Sequence, residues 1–81
     1  MLSKILRLFG KEKLSNIKIL KEFEEHPPRL EKMVAKWIYY WDNDEFSQPI
    51  VLNKNNYLVD GYTTYIIAKI LNKKYMPVER F

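Results

Sequence analysis

The spacing of apolar residues changes several times along the chain, and each change predicts a new element. Leu2, Ile5, Leu6 and Phe9 fall on one helical stripe with Lys4, Arg7 and Lys11 off it. They predict a basic amphipathic helical segment over residues 1–13, with Gly10 as its stop. Ile17 and Ile19 then alternate with Lys18 and Lys21, the period of a half-buried strand over Asn16–Lys21. His26-Pro27-Pro28 interrupts ladders and helix interiors alike and is the strongest boundary in the chain. Beyond it Leu30, Met33, Val34, Trp37, Tyr40 and Trp41 return to helical spacing, and Asp42-Asn43-Asp44 turns the chain. This aromatic stripe is expected in the core, because a small domain needs the bulk. Arg29, Glu31, Lys32 and Lys36 take the wet side.

Pro49-Ile50-Val51-Leu52 and Tyr57-Leu58-Val59, joined by Asn53-Lys54-Asn55-Asn56, read as a hairpin. Asp60-Gly61 leads into an apolar helix through Ile66, Ile67, Ala68, Ile70 and Leu71, closed by Asn72-Lys73-Lys74. Tyr75-Met76-Pro77-Val78 is a last short strand. The order α-β-α-β-β-α-β predicts a single α+β domain over residues 14–81, a short mixed sheet with helices packed on it, preceded by the basic segment 1–13.

Composition narrows the chemistry. The 81 residues allow one domain, and 47% hydrophobic with 15% aromatic residues supply a core. There is no cysteine, which removes disulfides, thiolate metal sites and cysteine nucleophiles. The lone His26 leaves no histidine metal set, and it reads as a loop residue. Asp42, Asp44 and Glu45 are adjacent acids that read as a solvated loop, so no metal is expected. No apolar run approaches the ~20 residues of a membrane span and no signal peptide is evident, so a cytoplasmic setting is expected.

The formal net charge of +4 is unevenly spread. Residues 1–21 hold six basic side chains against Glu12 alone, whereas the remainder holds eight basic and nine acidic ones. Lys4, Arg7, Lys11 and Lys13 are therefore candidates for nucleic-acid contact, the alternative being a solvated face. The basic segment could also dock a protein partner or form a homodimer. The lysine-, asparagine- and isoleucine-rich composition suits an AT-rich bacterial or phage genome.

The densest chemistry lies in Leu58-Val59-Asp60-Gly61-Tyr62-Thr63-Thr64, where a strand turns directly into a helix. Unsatisfied N–H groups at such a start favour anions, and Gly61 permits close approach. Against this, Asp60 as N-cap would accept from the N–H of Thr63 and repel a phosphate, and spacing alone favours that cap.

The ordered set Pro49-Ile50-Val51-Leu52, Tyr57-Leu58-Val59-Asp60-Gly61-Tyr62, Ala68-Lys69 and Pro77-Val78, with Pro28-Arg29 before the long helix, resembles the ParB N-terminal-like and sulfiredoxin superfamily. That resemblance covers residues 15–81 and implies the superfamily fold. It also implies a phosphate site on the turn after the DG strand, at Gly61, Tyr62, Thr63 and Thr64. The arginine that follows the glycine in the family is absent, so Arg29 and Lys32 are the candidate charges, with Lys54 a weaker one. Sulfiredoxin's catalytic cysteine has no counterpart, which excludes its reductase activity. ParB's DNA-reading helix-turn-helix would lie beyond Phe81. The expected function is a noncatalytic module for a nucleotide, a nucleic-acid phosphate or a protein partner. The alternatives are an enzyme holding ATP or CTP with Mg in the same cradle, and an assembly protein docking through its N-terminal segment.

Overall fold

The computed structural model describes residues 8–80, arranged as a four-stranded mixed sheet with three helices. The strands are β1 (Leu8–Lys13), β2 (Ile50–Leu52), β3 (Leu58–Asp60) and β4 (Tyr75–Arg80), in the order β1-β4-β2-β3. The helices are α1 (Lys21–Glu25), α2 (Leu30–Asn43) and α3 (Tyr62–Ile70). Strand β4 pairs antiparallel with β1 and parallel with β2, while β2 and β3 form the expected antiparallel hairpin. Its loop is shaped by Asn53, whose Oδ1 accepts from the N–H groups of Asn55 at 2.9 Å and Tyr57 at 3.0 Å. Alternation in β4 buries Met76 and Val78 and leaves Tyr75 and Pro77 outside. Strand β2 joins β4 only from Val78 onward, so Pro77 sits where β4 still has an open side.

Ile50, Leu52, Leu58, Ile67 and Ala68 are fully buried, with Leu14, Ile17, Met76 and Val78 completing the core. Each comes from an element that must be in place to cover the others, which is how so short a chain closes a core.

Three expectations need correction. The predicted N-terminal helix falls largely outside the described residues, but Leu8–Lys13 is a strand. Lys11 and Lys13 ride the β1–β4 ladder opposite Pro77 and Tyr75. Pairing with β4 overrides the local helical period, and Gly10 lies within the strand instead of stopping a helix. The expected strand over Asn16–Lys21 is reduced to one parallel bridge. Lys18 N–H donates to the Asn56 carbonyl at 2.8 Å, and its own carbonyl accepts from Leu58 N–H at 2.9 Å. The chain then coils into α1, which lays Phe23 on Tyr62 with ring centroids 5.3 Å apart. Finally, the aromatic stripe of α2 is not core. No residue of α2 is buried, and Leu30 and Trp41 are 75% and 69% exposed. The helix packs chiefly on α3, so it half-buries only Met33, Trp37, Tyr40 and the Lys36 side.

One polar network ties the chain's two ends together. The Arg80 guanidinium donates to Glu12 of β1 and to Asn56 of the hairpin loop, and Glu12 Oε1 accepts from Asn16 Nδ2 at 2.9 Å. The Asn16 hydrogen bond first, and then Lys13 N–H and Arg80, hold the Glu12 carboxyl below its ordinary 4.5. Its folded pKa lies below the unfolded one, so its contribution is complete above pH 4.5 and is lost as pH falls through the folded value. Glu12→Gln should therefore cost about 0.5–1 kcal/mol near neutrality, as for a partly exposed pair, and almost nothing at acid pH. Urea melts at the two pH values check this.

Candidate anion cleft at the start of helix α3

A cleft of about 190 Å³ opens where β3 turns into α3. Its floor is the turn Asp60–Thr64, its walls are Phe23, His26 and Pro28 from α1 and the segment after it, and its rim carries Lys32, Lys36 and Gln48.

The turn has this shape because of one glycine. Gly61 is the N-cap of α3 at φ 87°, the left-handed region. A Cβ there would stand 2.8 Å from the Pro49 carbonyl oxygen and 3.0 Å from Ile50 Cα, so β2 approaches the turn more closely than any side chain allows. The cap expected from Asp60 is displaced by one residue. Asp60 Oδ1 accepts from Gly61 N–H at 2.8 Å, and no side chain caps the helix. The first helical hydrogen bond runs from Tyr65 N–H to the Gly61 carbonyl at 2.9 Å. The N–H groups of Tyr62, Thr63 and Thr64 therefore precede the ladder, and none meets an acceptor among the described residues. Both threonines are buried, and the Thr64 hydroxyl donates toward the Gln48 carbonyl at 3.5 Å.

Charge enters from α2. Lys32 and Lys36, one turn apart, share the helix face that looks onto the cleft. Lys36 Nζ donates to Gln48 Oε1 at 2.9 Å and Ser47 Oγ at 3.2 Å, which fixes it beside the turn. Burial pushes its pKa below the ordinary 10.5, Lys32 pushes it the same way, and Asp60 pulls it back up. An ammonium held half-buried near another ammonium is an arrangement that an incoming anion relieves. On the far wall His26 Nδ1 lies 3.0 Å from the Glu22 carbonyl and the Phe23 and Tyr62 rings neighbour each other; Tyr65, stacked on Tyr62, lies outside the cleft.

Of the residues singled out from the sequence, Gly61, Tyr62, Thr63, Thr64 and Lys32 meet in this cleft. Arg29 does not line it; it occupies the N-cap position of α2. Lys54 sits in the hairpin loop, and Lys11 and Lys13 lie on the edge strand opposite β3 in the sheet. Lys4 and Arg7 lie outside the described residues. Asp42, Asp44 and Glu45 do not converge: among the described residues no group of three potential ligands could hold a metal. Nor is any described helix long and apolar enough to cross a membrane. Sequence reasoning missed Lys36 and Gln48. The i, i+4 spacing of Lys36 to Lys32 was the available signal.

This small α+β chain with its four-stranded mixed sheet has the fold of a ParB N-domain. A pNOB8-like ParB N-domain in one crystal form superposes with a TM-score of 0.76 at 20% identity, over 91% of this chain and 29% of that one. A second structure of the pNOB8-like ParB N-domain gives 0.69 at 21% identity, over 91% and 28%. The chain thus spans less than a third of the length of these structural relatives. No family model matches the sequence. No curated protein matches it either.

Proposed function

We propose that the chain is a noncatalytic binding module whose cleft at the start of α3 receives the phosphates of a nucleotide. The observation that carries this reading is Lys36, held half-buried by Gln48 and Ser47 beside three helix-start N–H groups that have no acceptor among the described residues. Amides aimed at one point and two ammonium groups are what a phosphate oxygen needs. Lys32 and Lys36 supply the charge that the family's missing arginine would otherwise bring. The neighbouring Phe23 and Tyr62 rings offer an apolar wall for a base.

Titration with ATP, CTP and inorganic pyrophosphate, with and without Mg²⁺, tests this by heat and by amide shifts. Saturable binding with shifts centred on Gly61–Thr64 is expected. Lys36→Gln should weaken it about tenfold, the worth of a hydrogen bond to a charged group. The thermal midpoint should not fall, because burial already disfavours that charge. Asp60→Asn keeps an acceptor for Gly61 N–H while removing the carboxylate, and should tighten binding of Mg²⁺-free pyrophosphate several-fold. Shifts elsewhere, or Lys36→Gln binding as tightly as the native chain, would refute the reading.

A further inference from the structure

We propose a second binding surface, for single-stranded nucleic acid, on the outer face of β1 and β4 and the turn that leads into β4. It is separate from the cleft and does not depend on it. The ladder sets Lys13 opposite Tyr75 and Lys11 opposite Pro77. Strand alternation places these four side chains on the face away from buried Met76 and Val78. Leu14 N–H donates to the Lys74 carbonyl at 3.0 Å, drawing the turn against the end of β1, and Lys74 Nζ lies 6.0 Å from the Tyr75 ring centre. Lysines far apart in sequence therefore surround one ring, and that ring is 49% exposed.

The positive surface continues past the turn. Two adjoining hollows of about 350 and 420 Å³, floored by Leu14, Ser15 and Asn72, are edged by Lys69, Lys73 and Lys74, and no carboxylate lines either. The Arg80–Glu12 ion pair involves none of these lysines. Lys69 lies in the last turn of α3, at the negative end of its dipole, whereas Lys11 and Lys13 stand on a strand; Glu79, two residues beyond Pro77 on the same outer face of β4, bounds the surface at that end. Asp44 and Glu45 border the hollow on the α2 side of Tyr75, which sets the limit of the surface there.

Lysines spaced around an exposed aromatic ring match a polyanion that can turn an unpaired base onto that ring. A duplex keeps its bases stacked and cannot use Tyr75 in this way. Lys11 and Lys13 were legible as contact candidates. Lys74 and Tyr75, which make the surface selective for an open strand, come only from the fold.

Fluorescence anisotropy with labelled oligothymidylate and oligouridylate of about 16 nucleotides, and with a matching duplex, tests the proposal. Binding of one or both single strands is expected, with log K falling against log salt at a slope of about −2 to −3 for three or four neutralised phosphates. Lys13→Gln and Lys74→Gln should each flatten the slope by about 0.7. Tyr75→Thr, which keeps a strand-forming residue, should weaken single-strand binding about tenfold and leave the slope alone. Lys74 lies in the turn outside the strands, so Lys74→Gln remains informative even if the Tyr75 variant folds poorly. No saturable binding at about 50 mM salt would overturn the proposal, as would a duplex bound equally well or affinities that ignore both Lys74→Gln and Tyr75→Thr.

Discussion

Gly61→Ala is expected to remove about 3 kcal/mol of stability. The new Cβ would meet main-chain atoms, the Pro49 carbonyl oxygen at 2.8 Å and Ile50 Cα at 3.0 Å, and main chain cannot rotate aside as a side chain can. Relief requires β2 to move away from the turn, an overpacking cost of about 1–3 kcal/mol. A further ~1–2 kcal/mol comes from holding a non-glycine residue at φ 87°. Folded domains hold about 0.05–0.15 kcal/mol per residue, or roughly 4–12 kcal/mol for this chain, so the substitution removes a large share. Urea denaturation reads the loss directly. A change below about 1 kcal/mol would mean that β2 and the turn are not in contact. Because the same turn aims the N–H groups of α3, folded Gly61→Ala protein should also bind pyrophosphate more weakly.

Two leucines should behave as opposites. Leu52→Ala is expected to cost about 3 kcal/mol, within the 2–5 kcal/mol range for emptying a sealed site. Leu52 has no exposed surface and lies on β2 between β3, where it faces Leu58, and β4. Leu30→Ala removes the same atoms from a residue that is 75% exposed, and should change stability by no more than about 0.5 kcal/mol. Parallel urea melts separate the outcomes. Similar losses for both would mean that α2 is covered in solution.

How far the sequence reached depended on where each element finds its partner. The hairpin, the DG turn, α2, α3 and the Tyr75–Val78 strand were legible because period, turn residues and caps are local. Strand β1 was not, since what makes Leu8–Lys13 extended is the free edge of β4 far along the chain. The α2 stripe was correctly found but wrongly placed. A helical period shows that one side is apolar, not that anything lies against it. In the cleft, Gly61–Thr64 could be read because a glycine before a helix start has few other uses. Lys36 looked like any solvated lysine until Ser47 and Gln48, eleven and twelve residues on, closed over it. The displacement of the cap from Asp60 to Gly61 is a one-residue matter of backbone angle that composition does not encode.

Strand β4 stands between β1 and β2, yet it is translated after every strand it joins. The Glu12–Arg80 contact spans 68 residues, so at about 5–20 residues per second a ribosome needs some 3–14 s to deliver the second partner after the first. Until β4 joins, the β2–β3 hairpin and α3 keep apolar sides that Met76 and Val78 would otherwise cover. Sheet closure is thus a late event of high contact order, and the half-made chain is the form most exposed to aggregation and to chaperones.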